Sequence, residues 1–264
     1  MEADLSSWPS TDEELVEVQH RLGRAAAGTM AADPWSLPPE PLLGGCFVAF
    51  ARGEAGPGRP GDRAWAAAIS WRAPRHAGGA ARAIDRHLRD RPSGGLPRQA
   101  DDVLAQAVVA EPVPAPYMPG LLTRREGPVL AAAVAALDAR PDVLLVDATG
   151  LDHPRWAGLA VHLGAVCAVP TVGVTQRTLE ASGAQPERRR GALAPVHLRD
   201  RLVGFWVCTR TGTRAVVAHA GWRTSAETAA RTVLAASTEA ARTPVPLQEA
   251  RRVAREARAL AGAS

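Results

Sequence analysis

The sequence contains no lysine and no asparagine, so all 31 of its basic residues are arginines. The absence of lysine excludes a phosphate-binding P-loop, a Schiff-base lysine and a Ser-x-x-Lys nucleophile site. The formal net charge is only +4 over 264 residues. A charge of this size is compatible with nucleic-acid binding but does not require it.

Cysteine is also scarce, and Cys46, Cys167 and Cys208 are scattered through apolar sequence. No C-x-x-C pair is present, so the three cysteines predict reduced thiols in a cytoplasmic protein and argue against a zinc site. No apolar run approaches the ~20 residues that span a bilayer. We therefore expect a cytoplasmic protein that makes no contact with membranes.

Apolar periodicity and turn residues predict a mixed α/β chain. Helices are expected after an N-cap at Thr11, at Ala80–Leu88, Gly127–Ala139 and Arg155–Ala168, and at Ser225–Glu239 and Pro246–Ala261. Strands are expected at Leu42–Phe50, Ala64–Trp71, Val143–Val146, Thr171–Val174, Val203–Cys208 and Ala215–Ala218, while Asp102–Glu111 is compatible with strand or helix.

Two acids stand out in this arrangement. Asp147 ends a short apolar strand and is followed by a glycine turn, and Glu126 precedes Pro128 at a predicted helix start. A buried strand that ends in a carboxylate and leads into a helix is how open α/β sheets place a site at their strand ends. The sequence therefore indicates that Glu126 and Asp147 can meet at one site.

Three segments occur in a telling order: PYMPGLLTRREGP at 116–128, LLVDATGLDHPRWAGLAVHLG at 144–164 and VPTVGV at 169–174. Together they resemble the endonuclease V family, which nicks nucleic acid near deaminated purines. The resemblance runs from about Gly44 to Ala230. It implies a ribonuclease H-like mixed sheet flanked by helices.

The same resemblance suggests how the chain is divided. An endonuclease V-like domain is expected at 42–240. Residues 1–41 are expected to form an N-terminal helix and a proline-rich connector, and 241–264 an arginine-rich, exposed helix that packs on the domain or trails from it.

For the chemistry, the resemblance implies phosphodiester cleavage with Mg²⁺ or Mn²⁺ held by three acids, assisted by a lysine and a histidine. Glu126 and Asp147 stand at two of the acid positions and are the expected catalytic residues and metal ligands. The third acid position is occupied by Phe47, the lysine position by Gln176 and the histidine position by Trp222. Because phenylalanine cannot ligate a hard cation, we expect cleavage to be weak or lost.

For recognition, the resemblance implies an aromatic wedge that enters the duplex where the modified base is extracted. Without the resemblance, a tyrosine among prolines would be interpreted as a turn residue that packs on the domain edge. The residues that match wedge and base-pocket positions are Pro116, Tyr117, Gly120, Leu122, Gly150, His153, Gly158 and His162.

Several further residues have two possible interpretations each. Arg124, Arg125 and Arg155 are candidates for phosphate contacts or for a solvated face. Asp152 and His219 could approach the site and replace a lost group, but we favour a helix cap for Asp152 and an outward-facing strand position for His219.

Three functions follow as hypotheses: a nuclease with rewired ligands, a nucleic-acid-binding protein that no longer cuts, and a scaffold on which Glu126 and Asp147 act as acid and base on a small molecule. The expected partner is nucleic acid with a deaminated purine, with a small molecule as the alternative. The protein is expected to be a monomer.

Overall fold

The computed structural model describes residues 8–32, 35–51, 58–72 and 102–262. Its strands are β1 Leu42–Phe50, β2 Arg63–Arg72, β3 Val103–Pro112, β4 Val143–Val146, β5 Thr171–Thr175, β6 Leu193–Leu198, β7 Arg201–Val207 and β8 Val216–Ala220. They form one eight-stranded mixed sheet in the order β3-β2-β1-β4-β5-β8-β7-β6. The predicted α/β fold is confirmed.

The helices within the described ranges are α1 Asp12–Ala32, α2 Leu122–Ala135, α3 Leu159–Val166, α4 Ala226–Ala235 and α5 Val245–Ala261. The helix predicted at Ala80–Leu88 lies outside the described residues. The predicted N-cap is confirmed, because the Thr11 hydroxyl accepts the Glu14 amide at 3.1 Å and the Glu14 carboxylate accepts the Thr11 amide at 3.3 Å. Each helix in the described ranges is too short or too polar to cross a bilayer.

Two helix starts differ from the prediction. Helix α2 begins at Leu122, so Glu126 lies inside the helix and Pro128 is an interior residue that leaves one backbone hydrogen bond unmade. Helix α3 begins at Leu159, later than predicted, because Trp156 adopts a left-handed backbone with φ of 60° that cannot continue an α-helix.

Strand β6, which contains Pro195, was not predicted. It forms because β6 is the edge of the sheet, where proline is tolerated.

The register at the centre of the sheet determines which side chains meet. Strand β1 pairs in parallel with β4, with Cys46 opposite Val146, so Phe47 and Asp147 lie side by side one residue further on. Strand β4 pairs in parallel with β5, with Val146 opposite Gly173, so Gln176 follows at the same edge. The carboxyl ends of the three parallel strands therefore converge at the Asp147 edge.

Both faces of the sheet are covered. Val143 and Leu145 of β4 pack with α4 and α5, while Leu144 and Val146 pack with α2 and α3 on the other face. Helix α5 was expected to be exposed, but one face of it is buried against β1 and β2. Its apolar residues recur at helical spacing, which leaves the arginines on the outer face and beside the sheet edge.

Candidate nucleic-acid interface and carboxylate pair

The structure brings the two predicted acids together. Glu126 projects from α2, and Asp147 directly follows β4. Burial, and to a lesser extent the negative charge of Asp147, raise the pKa of Glu126 to about 7, against a smaller lowering by Arg125. A carboxyl that titrates near neutrality beside a second carboxyl can hold or release a proton at physiological pH.

Sequence reasoning missed the group that completes this pair, which is Arg251 of α5. Its Nη2 donates to Asp147 Oδ2 at 2.8 Å, and its guanidinium carbon lies 5.0 Å from the centre of the Phe47 ring. A second guanidinium, that of Arg255, lies 5.9 Å from the same ring. Phe47 thus lies beside Asp147, as the resemblance implies, and arginine cations cover the space next to both.

Trp222, expected at a catalytic position, lies elsewhere. Strand β8 runs antiparallel to β5, so the carboxyl end of β8 lies beside the amino end of β5. Asp147, in contrast, lies at the carboxyl ends of the parallel strands. The Trp222 carbonyl accepts the amide of Thr171, which pairs with Leu144. Asp147 lies three residues beyond Leu144, or roughly 10 Å along the strand. The interpretation of Trp222 as a replaced catalytic group is therefore wrong, and Arg251 is the residue of the C-terminal region that reaches Asp147.

The donor set does not fit a tightly held divalent cation as it stands. Mg²⁺ and Mn²⁺ take several oxygen ligands, and here Asp147 is already bound by a guanidinium while Phe47 offers no oxygen. Among the described residues, no group of three or more His, Cys, Asp or Glu side chains is arranged to hold a metal ion. The ligand set that Glu126 and Asp147 would contribute is incomplete.

The predicted wedge is exposed, and hydrogen bonds fix the turn that carries it. Tyr117 and Met118 are 46% and 42% exposed on the turn that leads into α2. The turn ends at Gly120, whose φ of +76° favours glycine. The Gly120 carbonyl accepts from Gln19 at 3.3 Å, from His153 Nε2 at 3.2 Å and from Arg155 at 2.9 Å. The turn therefore presents an exposed aromatic ring and is itself held in place at Gly120.

His153 has a structural role in this brace. Its Nδ1 accepts the Arg155 amide at 3.2 Å, so Nε2 carries the proton that is donated to Gly120. Burial, and to a lesser extent the charge of Arg155, lower the pKa of His153 to about 4. The ring is therefore neutral near pH 7 and orients the wedge. A direct contact of His153 with nucleic acid stays a prediction.

The remaining pocket candidates are tightly packed. A side chain at Gly150 would collide with the carbonyl of Ala220, and one at Gly158 with that of Thr149, so protein packing by itself requires these glycines. His162 is buried and stacked under Trp8, with ring centroids 4.8 Å apart. Contact of His162 with a base requires Trp8 to move.

Two of the arginines considered for phosphate contact are engaged in the protein. Arg125 is buried, pairs with Asp62 at 2.7 Å and donates to the Ala115 carbonyl at 2.8 Å, so it joins the turn before β2 to the segment before the wedge. Arg124 pairs with Asp12 at the start of α1. Neither position is the solvated face that the sequence allowed.

Asp152 and His219 form a buried network and supply no third acid to the site. Asp152 accepts the backbone amides of Leu179, Glu180 and Ala181 at 2.7–2.8 Å, and caps no helix. His219 is fully buried instead of facing outward, with Nδ1 3.7 Å from Asp152 and Nε2 2.7 Å from the Thr175 hydroxyl. Burial lowers the pKa of His219 to about 4.

A family model described as Endonuclease V matches residues 96–252, which include the wedge, both acids and Arg251. The chain belongs to the Endonuclease V family. The match begins after β1, so Phe47 lies outside it. Endonuclease V of Roseiflexus sp. is 39% identical over 137 residues, which cover 52% of this chain and 62% of that protein. The chain thus spans somewhat less than two thirds of this relative.

Solved Endonuclease V structures share the fold over nearly the whole chain. The Streptomyces avermitilis enzyme is 29% identical with a TM-score of 0.75, covering 97% of this chain and 96% of that one. Ciona intestinalis Endonuclease V, solved with a 23-mer DNA containing an inosine, is 18% identical with a TM-score of 0.65, covering 94% and 98%. At that identity the second likeness supports the fold alone.

The raised pKa of Glu126 predicts a measurable effect of pH on stability. Between about pH 4.5 and 7, Glu126 is deprotonated in the unfolded chain but keeps its proton in the folded protein. The contribution of Glu126 to the free energy of unfolding therefore falls by roughly 3 kcal/mol as pH rises through this range. Replacing Glu126 by Gln removes this slope. Urea unfolding of both proteins from pH 4.5 to 8 measures it.

The informative quantity is the difference in the free energy of unfolding between wild type and Glu126→Gln. The buried histidines titrate in the same pH range, and their effect on stability has the opposite sign. Their pKa values are lowered, so their contribution rises with pH, and it cancels in the difference. A pH-independent difference would show that Glu126 ionises as readily in the folded protein as in the unfolded chain.

Proposed function

We propose that this chain recognises nucleic-acid strands at a deaminated purine and cleaves them far more slowly than a site with three carboxylates would. The observation that carries the proposal is the exposed Tyr117 turn, braced at Gly120 and continuous with the helix that places Glu126 near enough to Asp147 for their charges to interact. Recognition and chemistry are thereby joined on one rigid element.

Base extraction gives the wedge its physical role. Pulling a base from its stack costs a few kcal/mol, and an aromatic ring placed in the gap recovers part of this by stacking. Tyr117 is the only tyrosine in the chain and is solvent-exposed. The Ciona relative was solved on DNA containing an inosine, which makes a deaminated purine the natural ligand to test on this chain.

The carboxylate pair supports a limited hydrolytic capacity. Glu126 can exchange a proton near neutral pH, and the nearby Asp147 is paired with Arg251. A divalent cation, when bound, would activate water and neutralise charge developing at phosphorus. The side chains that the protein itself provides are two carboxylates, a guanidinium and a phenyl ring, which is a poor set for holding that ion. We therefore expect slow nicking and intact binding.

Tyr117→Ala is expected to reduce affinity for an inosine-containing strand about tenfold, because one base-stacking contact is worth about 1–3 kcal/mol. Affinity for the matched adenine-containing strand should change little. Tyr117→Phe keeps the ring and should retain the discrimination. Fluorescence anisotropy with paired DNA and RNA oligonucleotides measures the inosine-to-adenine affinity ratio.

Leu104→Ala removes a side chain that is 50% exposed on the edge strand β3, and serves as the control for loss of exposed apolar surface. Equal affinity of the wild type for inosine and adenine strands would overturn the proposed recognition. Rapid Mg²⁺-dependent nicking by the wild type, abolished by Asp147→Ala, would overturn the proposed slow cleavage. The small-molecule alternative has no specific observation in its favour.

A further inference from the structure

A wide groove lies along the outer side of α5, next to the acid pair. Its volume is about 1050 Å³. Five arginines and one glutamate contribute its charge: Arg63, Arg251, Arg252, Arg255, Arg258 and Glu256. The sequence marked α5 as arginine-rich, but it did not indicate that Arg63 of β2 joins the arginines of α5 in one groove.

The positive charge of the groove is only partly neutralised. Arg251 pairs with Asp147, and Arg252 is held between Glu249 at 2.9 Å and Glu256 at 2.8 Å. Within the described ranges, Arg63, Arg255 and Arg258 have no carboxylate partner. Uncompensated guanidinium groups in a groove attract anions and are suited to phosphate oxygens.

The groove continues the proposed active site. Arg251, Arg255 and Arg258 follow one another at helical spacing, which places them along roughly 10 Å of one helix face. Arg251 starts this row at Asp147, and Arg258 ends it at β1, where Nη1 lies 3.3 Å from the Phe50 carbonyl. The row therefore leads from the acid pair along the carboxyl edge of β1 toward Arg63.

We propose that this arginine groove binds the phosphate backbone of a nucleic-acid strand and does so without a divalent cation. The proposal rests on the proposed function, because it assigns to the groove the strand that passes the acid pair. Arg251 provides a fixed positive charge beside Asp147, and Arg255, Arg258 and Arg63 extend that charge away from it. Binding here is to the backbone and is independent of base identity.

A linear polyanion suits the groove better than a membrane surface does. The charged row lies in a groove between α5 and β2, and no large exposed apolar side chain of the described residues lines it. Membrane-surface helices combine their basic residues with an apolar face that enters the lipid. The apolar face of α5 is buried in the protein core from Val245 to Ala254, and only Leu260, near the end of the helix, is a large exposed apolar side chain of α5.

The test compares binding of inosine and adenine single strands in EDTA, over a range of salt concentration, by wild type and Arg255→Ala/Arg258→Ala. The double variant should bind both strands about tenfold more weakly. Its plot of log affinity against log salt should be shallower by about 1.4, since each phosphate contact on a single strand contributes about 0.7. Arg255→Lys/Arg258→Lys keeps the charges and should retain most of the affinity.

Arg189→Ala is the matched control, an exposed arginine paired with Glu187 and joined to the region of β7 at the other end of the sheet. Arg252→Ala tests the charge argument inside the groove, and its effect should be smaller than that of Arg255→Ala because two glutamates already neutralise Arg252. Circular dichroism melting checks that each variant is folded.

The outcomes separate the two proposals. If the folded double variant has the salt slope and affinity of the wild type, the groove assignment is overturned. In that case, loss of the discrimination between inosine and adenine strands in Tyr117→Ala would still support the proposed function. Equal binding of inosine and adenine strands by the wild type, with a shallower slope in the double variant, would support the groove and overturn inosine recognition. Binding to anionic vesicles but not to strands would overturn the groove proposal.

Discussion

Phe47→Asp combined with Arg251→Gln is expected to raise the single-turnover rate of Mg²⁺-dependent nicking of an inosine strand about 100-fold. The first change adds a carboxylate beside Asp147, and the second removes the guanidinium that now binds Asp147 Oδ2 at 2.8 Å. Three carboxylates can hold a hard cation that two cannot hold well. Losing one group that acts in the transition state commonly costs about two orders of magnitude, so its return should recover a similar factor.

The matched control is Phe47→Leu with Arg251→Gln, which removes the ring and the cation without adding an oxygen. It should stay at the wild-type rate. Adding Asp147→Ala to the active double variant should abolish the gain. If the Leu and Asp variants nick equally fast, or neither exceeds the wild type at saturating Mg²⁺ and Mn²⁺, the absence of a third carboxylate does not limit this site.

Asp152→Ala is expected to lower the free energy of unfolding by about 4 kcal/mol. Asp152 is fully buried and accepts three backbone amides at 2.7–2.8 Å. Hydrogen bonds to a charged group are worth about 1.5–3 kcal/mol each, and their loss leaves buried donors unpaired. Thermal melting should show the midpoint falling by about 10 °C, at about 2–4 °C per kcal/mol for a chain of this size.

Asp200→Ala, at an exposed position, is the control and should melt within a degree or two of wild type. Asp152→Asn separates charge from shape, because an amide oxygen can accept fewer and weaker bonds than a carboxylate. It should fall between wild type and Asp152→Ala. A wild-type melting temperature for Asp152→Ala would mean that the amides of 179–181 find other acceptors at little cost.

Much of the fold could be predicted, because strands and amphipathic helices impose local patterns. The limits of β1 and β4 were predicted correctly, since glycine, proline and charged residues bound their apolar runs. Helix starts were less accurate. Glu126 was placed before α2 because proline usually lies in the first turn of a helix, whereas Pro128 lies inside α2.

The site was only half predictable. Glu126, Asp147 and Phe47 were correctly brought together, because strand ends in a parallel sheet share one edge. Trp222 was wrongly assigned to that edge, because the direction of β8 cannot be deduced from a short motif. Arg251 escaped notice altogether, since an arginine on a C-terminal helix carries no local sign of which carboxylate it faces 104 residues away.

Local sequence was sufficient for the family, the parallel strand that carries Asp147 and the exposed aromatic turn at Tyr117, because these depend on short contiguous patterns. Tertiary packing alone decided that a guanidinium from α5 binds Asp147, that Arg125, Asp152 and His219 are buried structural groups, and that arginines from β2 and α5 share a groove. These outcomes depend on how segments that are distant in sequence pack together. The burial of a side chain and the charges around it are set by its neighbours in the folded protein and not by the stretch of chain in which it lies.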